Sequence, residues 1–246
     1  MSEATEPEQG FLSHLVELRS RLLRAMLAVL LVFLALLPFA RSLYGWFAQP
    51  LLSVLPEGAQ MVAIEVASPL LAPLKLSLFV AFALALPYVL YQLWAFVAPG
   101  LYRHERRLAL PILVSSVLLF YLGCAFAYFV VFPLIFAFFA AMAPEGVAVA
   151  TDIGRYLDFV LALFLAFGLS FEVPVAIVIL VMLGWVSVDQ LRRARPYVIV
   201  AAFVVGMLLT PPDVFSQTLL AVPICLLYEA GILAARWLSH GAKNSA

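Results

Sequence analysis

Residues 22–40 have the sequence LLRAMLAVLLVFLALLPFA, an apolar run that contains a single charged residue, Arg24. As a helix rising about 1.5 Å per residue, such a run crosses about 30 Å of hydrocarbon. Residues 1–10 are acidic and polar, and the run lacks a small-residue cleavage site, so we expect a retained membrane helix rather than a signal peptide. The chain is 66% hydrophobic and 11% charged, with a mean hydropathy of +1.11, which excludes a soluble domain.

Further apolar runs extend this pattern along the chain. Four long spans are predicted at 22–44, 74–98, 108–142 and 156–183. Two shorter runs, Tyr197–Leu209 and Gln217–Glu229, flank the Pro-Pro turn at 211–212. We predict that these form helices five and six, a hairpin too short for an ordinary bilayer, which implies local thinning or displaced lipid. The predicted fold class is an all-α membrane protein with six transmembrane helices.

The distribution of positive charge predicts the orientation. Eleven of the 14 lysines and arginines lie near the N-terminus, in the 100–107 and 184–195 loops, or in the C-terminal tail. The positive-inside rule therefore places both termini in the cytoplasm. The predicted organisation is one integral-membrane domain, 1–246, made of a cytoplasmic interfacial segment at 1–21, a bundle at 22–237 and a tail at 238–246. The proline-containing loop 45–73 is predicted to be a structured exterior cap rather than a slack linker.

The first candidate binding residue is Glu17, in the amphipathic segment 11–22. One stripe of this segment is apolar and the other polar, which predicts a helix lying in the cytoplasmic interface. The simplest interpretation of Glu17 is an i,i+4 pair with Arg21, worth about 0.2–0.5 kcal/mol.

The second candidate is Glu105, which stands among three arginines after the aromatic segment that contains Phe96. Taken alone, this loop is typical of a structural salt-bridge cluster with an interfacial aromatic rim. Taken together, Glu17 and Glu105 are two carboxylates predicted on one face of the membrane. Such a pair suits a ligand with two guanidinium groups, each bound in a bidentate fashion.

Three polar residues lie within or beside the later spans. Glu172 is placed in an apolar span at a cost of about 2.5–3.5 kcal/mol, so it is either a functional acid or a protonated one hydrogen-bonded to a neighbouring helix. Asp213 is expected to be the N-cap of the sixth helix. Gln217, one turn further on, is expected to face a partner helix.

Several function classes are disfavoured. The sequence has no phosphate-binding GxxxxGK[ST] loop and no nucleophile motif, and its three histidines lack ligand spacing, so we expect no enzyme activity, cofactor or metal. Cys124 and Cys225 are expected to be small apolar residues. Two alternatives stay open: a proton-coupled small-solute transporter with Glu172 as the relay, and a scaffold for other membrane subunits without a ligand of its own.

Five motifs together resemble TatC, the polytopic subunit of the twin-arginine, Sec-independent protein translocase. They are HLVELRSR at 14–21, WAFVAP at 94–99, YRHERR at 102–107, FEVP at 171–174 and GMLLTPPD at 206–213. The resemblance covers about residues 11–237 and implies six transmembrane helices in a concave, cup-like bundle.

The resemblance also implies a function. TatC proteins bind twin-arginine signal peptides and assemble with TatA and TatB, in a TatBC complex holding several TatC copies. The complex exports folded proteins across the bacterial inner membrane by using the proton-motive force. Contact with lipid is implied, and nucleic acid, cofactor and metal are not. Carried over by motif, the implied sites are Glu17, Arg19, Phe96 and Glu105 for the signal peptide, Glu172, Asp213 and Gln217 for partner helices, and Pro50 in the exterior loop.

Overall fold

The computed structural model describes residues 6–52, 61–97, 109–142, 151–210 and 213–243. Within these ranges the regular structure is helical, apart from one isolated bridge that pairs Val62 with Asp152. The helices are α1 (Glu6–Leu36), α2 (Ala40–Leu52), α3 (Ser68–Val97), α4 (Ala109–Phe126), α5 (Phe132–Ala141), α6 (Ile153–Met182), α7 (Val188–Leu209) and α8 (Val214–Lys243). A 3₁₀ turn, Leu37–Phe39, joins α1 to α2, and a π-helical turn, Ala127–Val131, joins α4 to α5.

The all-helical membrane fold is confirmed. Five stretches of the described residues are long and apolar enough to cross a membrane. They run over Val16–Gln49, Ser68–Phe96, Leu110–Ala141, Ile153–Met182 and Val214–Trp237. The four long spans predicted from the sequence correspond to the first four of these, and the last corresponds to the sixth helix.

The late hairpin consists of α7 and α8, the predicted helices five and six. The prediction of a short apolar part is correct for α7 and wrong for α8. Helix α7 has 22 residues, but its first third is charged and only its Pro196–Leu209 part is apolar, so α7 is not among the five stretches. The sixth helix is not short, because its apolar stretch covers 24 residues, or about 36 Å. The predicted end at Glu229 is wrong, since the apolar sequence resumes immediately after that residue.

The segment predicted to lie in the cytoplasmic interface is continuous with the first span. Helix α1 runs over 31 residues from Glu6 without a break. No proline occurs between Pro7 and Pro38, so nothing in the sequence forces a bend. The amphipathic segment and the membrane helix therefore share one axis.

The chain forms two compact units. The first consists of Met1–Ala40 and Leu74–Val117, and the second of Arg41–Pro73 and Leu118–Ala246. In the first unit the described side chains buried on α3 include Leu76, Ala81, Leu86, Gln92 and Trp94.

In the second unit, α4 and α6 cross at two glycines. A methyl group on Gly123 would lie 2.6 Å from the backbone carbonyl oxygen of Phe167. A methyl group on Gly168 would lie 2.6 Å from the ring of Phe120, which is only 1% exposed. The absence of a side chain at these two positions lets the backbones approach closely, as at many contacts between membrane helices.

Helix α8 packs between α6 and α7 in the same unit. Helix α6 ends at Met182 and is followed by Gly184, whose φ of +71° suits glycine. Helix α7 begins with a capping box formed by Ser187 and Gln190. Gly231 of α8 lies against Pro174 of α6, where a methyl group would come within 2.9 Å of the proline Cα. These caps define the turn between α6 and α7, and the close contact holds α8 against α6.

Candidate functional site

The carboxylate of Glu17 is paired with Arg21 on α1. Both Nη2 and Nε of Arg21 donate to the same oxygen, Oε1, at 2.6 and 2.9 Å. The side chain of Glu17 is 40% exposed and that of Arg21 is 23% exposed. Among the described residues, the second oxygen of Glu17 has no hydrogen-bond donor. The i,i+4 pair predicted between Glu17 and Arg21 is therefore present. It leaves one oxygen of the Glu17 carboxylate without a donor among the described residues, and so open to a ligand.

A cleft of about 120 Å³ lies beside this pair, between α1 and α3. Arg21 forms part of its wall, so the pair and the cleft are contiguous. Apart from Arg21 and the amide of Gln92, the lining is apolar. It comprises Leu18, Arg21, Leu22 and Ala25 from α1 and Val89, Gln92, Leu93 and Phe96 from α3. The arrangement can hold a cationic group at Glu17 and an apolar side chain next to it.

Of the predicted peptide-binding residues, Phe96 lines the cleft, Glu17 is linked to it through Arg21, and Arg19 lies apart from it. Phe96 lines the cleft that Arg21 also lines. Arg19 is exposed and does not line the cleft, because two residues of helix rotate its side chain by about 200° from Glu17. Glu105 and its arginine-rich loop lie outside the described residues, so the predicted pairing of the two acids stays a prediction.

Glu172 lies in α6, within the stretch Ile153–Met182 that can cross a membrane. Its residue is half-buried, next to the buried Phe171. The helix continues past Pro174, whose missing amide leaves the carbonyl of Ser170 without its usual intrahelical donor. Glu172 thus stands on a locally polar turn of an otherwise apolar helix.

Asp213 is the N-cap of α8. Its Oδ1 accepts a hydrogen bond of 2.7 Å from the amide of Ser216, as the sequence predicts. Its Oδ2 and the hydroxyl of Ser216 are buried, and neither has a hydrogen-bond partner in the described part of the chain. Gln217 lies on the face of α8 that meets α7. A methyl group on Gly206 of α7 would lie 3.4 Å from the backbone of Gln217.

The described residues of the predicted exterior cap are structured, its exterior position stays a prediction, and its organising residue, Asp152, was missed from the sequence. Asp152 is 6% exposed, and its carboxylate accepts from the amides of Ile64, Gly154 and Arg155 at 2.9–3.0 Å. The amide of Ile64, then that of Arg155, hold the pKa of this carboxyl below its usual value. An aspartate immediately before an apolar helix is a recognisable N-cap signal, but the bond to Ile64 is not visible in the sequence.

The hydroxyl groups of two tyrosines link α2 to the beginning of α6. The hydroxyl of Tyr44 donates to the carbonyl of Ile153 at 3.2 Å, and that of Tyr156 donates to the carbonyl of Phe47 at 2.8 Å. The amide of Val62 donates a hydrogen bond to the carbonyl of Thr151, and the carbonyl of Val62 accepts one from the amide of Ile153. The backbone of Pro50, the exterior position implied by the resemblance, lies in α2.

The fold and these sites define a multi-pass α-helical membrane protein. The family model described as "Sec-independent protein translocase protein (TatC)" matches residues 13–223, and the chain belongs to this family. It is therefore a component of a protein translocase of the bacterial inner membrane rather than a member of a catalytic family. The small-solute transporter considered above is replaced by this assignment.

Individual relatives agree over nearly the whole chain. The TatC protein of Azotobacter chroococcum mcd 1 is 59% identical over 242 residues, covering 98% of this chain and 95% of its own length. That of Escherichia coli strain K12 is 57% identical over 241 residues, with coverages of 98% and 93%. A solved structure described as the twin-arginine translocase receptor TatC superposes with a TM-score of 0.82 at 38% identity, covering 92% of this chain and 99% of that one.

Proposed function

We propose that this chain is the receptor for twin-arginine signal peptides in its translocase. The observation that carries the proposal is the pairing of the half-exposed Glu17 carboxylate with Arg21, which lines an apolar cleft that also contains Phe96. An incoming guanidinium group exchanges with Arg21 or takes the second oxygen of Glu17, and Glu105 receives the other arginine. A charge-assisted hydrogen bond contributes about 1.5–3 kcal/mol net. Because Arg21 competes for Glu17, binding is moderate and reversible, as a docking step requires.

Site-specific photo-crosslinking tests this proposal. Leu93 and Tyr91 are 55% and 53% exposed on the same helix, but only Leu93 lines the cleft. A photoreactive residue at Leu93 or Phe96 should crosslink to a twin-arginine peptide, and one at Tyr91 should not. Equal crosslinking from Leu93 and Tyr91 would reject the cleft as the binding site.

Substitution of the acids supplies the second test. Glu17→Ala combined with Glu105→Ala should abolish crosslinking, and Glu17→Ala alone should weaken peptide binding at least about tenfold, as loss of one charge-assisted bond predicts. Glu65→Ala, which removes an exposed carboxylate from the exterior segment, is the control and should change nothing. A peptide with two lysines should bind more weakly, since lysine lacks the bidentate fork.

We further propose that the single-span subunits TatA and TatB pack against the late hairpin, and that the assembly exports folded proteins by using the proton-motive force. This proposal is supported by an exposed apolar face on α7, which includes Tyr197, Val200, Phe203, Met207 and Leu208. Phe203 is 38% exposed and its neighbour Ala202 only 2%. In a chain whose native cysteines are replaced, Phe203→Cys should form a disulfide with a cysteine-bearing TatB helix and Ala202→Cys should not. Equal yields would remove α7 as the contact.

A further inference from the structure

We propose that Gln92 is a specificity-determining residue of the cleft between α1 and α3. Its side-chain oxygen accepts a hydrogen bond from the guanidinium group of an arginine bound there. This role rests on the proposed function, in which one arginine of a twin-arginine peptide takes the place of Arg21 at Glu17. Gln92 then supplies the acceptor by which the cleft distinguishes arginine from lysine.

The side chain of Gln92 is buried, and its amide makes no hydrogen bond within the part of the chain that the structure describes. The residue is 6% exposed and lies one turn before Phe96, where the apolar stretch of α3 ends. A polar group held away from water without a partner destabilises the folded protein. Buried amides are nearly always paired, so this one indicates a site where a bound group completes the hydrogen bonding.

The lining of the cleft makes Gln92 the acceptor for a bound cation. Among the eight described lining residues, six have aliphatic or aromatic side chains, and Arg21 carries donors only. The amide oxygen of Gln92 is therefore the one side-chain acceptor that these residues present to the cleft. A soluble anion would meet an apolar wall and this oxygen, whereas a cation with an apolar stem is suited to both.

A guanidinium group has donors to spare for this acceptor. It carries five N–H groups in one plane, and Arg21 already shows that two of them, from Nε and Nη2, suffice for Glu17. The remaining donors of a peptide arginine in this place need an acceptor in surroundings with little water. Gln92 accepts one of them while the methylene stem packs on the apolar walls. Lysine ends in a single nitrogen with three donors and cannot present the same fork.

The ratio of two affinities tests this role in the full chain. Fluorescence anisotropy gives the Kd values of labelled twin-arginine and twin-lysine peptides with the purified protein. Gln92→Met, which is similar in length and apolar, should weaken binding of the twin-arginine peptide about tenfold, as the loss of one charge-assisted hydrogen bond predicts. Binding of the twin-lysine peptide should weaken less than about twofold, so the preference for arginine should fall at least about fivefold. An equal loss for both peptides would overturn the role.

Thermal unfolding separates a contact with the ligand from a structural role. Because the amide has no partner among the described residues, Gln92→Met should leave the melting temperature unchanged or raise it. A lower melting temperature together with the lost preference would assign Gln92 to packing and overturn the proposal. Gln49→Met removes an exposed glutamine of α2 that does not line the cleft, and it should change neither the preference nor the melting temperature.

A second variant at the same position tests the acceptor itself. Gln92→Glu keeps an oxygen in place of the amide oxygen and should retain the preference for arginine. If Gln92→Glu loses the preference as fully as Gln92→Met, the oxygen is not the contact and the role is overturned. An unaltered protein that binds neither peptide would overturn the proposed function and this role with it. Arginine-selective binding that survives in Gln92→Met would overturn the role of Gln92 alone.

Discussion

Glu17 receives both hydrogen bonds from Arg21 on a single carboxylate oxygen, so the chain already holds a guanidinium group at the position proposed for an arginine of the peptide. The pair is solvent-accessible and joins residues one helical turn apart. Such pairs contribute only about 0.3–0.5 kcal/mol. Arg21 can therefore be displaced by a ligand that makes bidentate bonds without a large free-energy penalty.

We expect Arg21→Gln to tighten binding of a twin-arginine peptide about twofold, because the internal competitor, worth about 0.3–0.5 kcal/mol, is removed. The measurement is fluorescence anisotropy of a labelled peptide with the purified protein. Arg24→Gln is the matched control, since Arg24 is exposed on the same helix and does not line the cleft. An equal gain in both variants would indicate a general charge effect, and a loss of binding in Arg21→Gln would mean that Arg21 positions Glu17 for the ligand.

The crossing of α4 and α6 predicts a large effect from a single methyl group. Gly168→Ala should gain up to about 1 kcal/mol of helix propensity but lose about 1–3 kcal/mol to overpacking against Phe120, so destabilisation wins. Gly123→Ala should be worse, because its methyl group meets backbone rather than a ring. Thermal unfolding in detergent is the measurement.

A matched glycine shows whether this interpretation of the crossing is correct. Gly45 lies in α2 with nothing within 4 Å of a methyl group built on it. Gly45→Ala should therefore raise the melting temperature or leave it unchanged. If Gly45→Ala lowers the melting temperature as much as Gly168→Ala does, steric contact is not the cause in either case.

The exterior cap predicts a pH dependence of stability. Because backbone amides lower the folded pKa of Asp152, its carboxylate stabilises the folded state fully above the ordinary pKa of about 3.9. That contribution is lost as the pH falls through the ordinary value toward the lowered one. Asp152→Asn should be less stable than the unaltered protein at pH 7, and the difference should shrink at acid pH. Melting temperatures of both proteins over this range give the result.

The control for Asp152 is a carboxylate without buried partners. Asp189 is 83% exposed and lies 3.8 Å from Arg192. Asp189→Asn should change the melting temperature little at any pH, as most exposed substitutions do. A difference between Asp152→Asn and the unaltered protein that stays constant with pH would contradict the role assigned to the charge.

The sequence was sufficient for the long spans and for some local features of the helices. Long apolar runs predicted four spans, and the short run Tyr197–Leu209 before the Pro-Pro turn predicted that the apolar part of α7 is short. Asp213 was recognised as an N-cap, since a cap depends on residues within one turn. The Glu17–Arg21 pair follows from the same local geometry.

Long-range contacts account for what was missed. The sixth apolar run was predicted to end at Glu229, yet the helix continues to Lys243 and Arg195, 34 residues earlier, pairs with that carboxylate. Asp152 draws its third donor from Ile64, 88 residues away. No periodicity or motif in a single sequence specifies either partner.

The hydrogen bond between Tyr228 and Leu191 should contribute measurably to the packing of α7 on α8. Tyr228 is 7% exposed, and its hydroxyl is 2.7 Å from the Leu191 carbonyl. Tyr228→Phe removes this bond while keeping the ring, and should cost about 1 kcal/mol. Tyr197→Phe is the control, because Tyr197 is 77% exposed on α7 and its change should stay within about 0.5 kcal/mol. Unfolding free energies that are equal for the two variants would show that the hydroxyl of Tyr228 does not hold the helices together, and that the surrounding apolar contacts of Ile232 and Ala235 are sufficient.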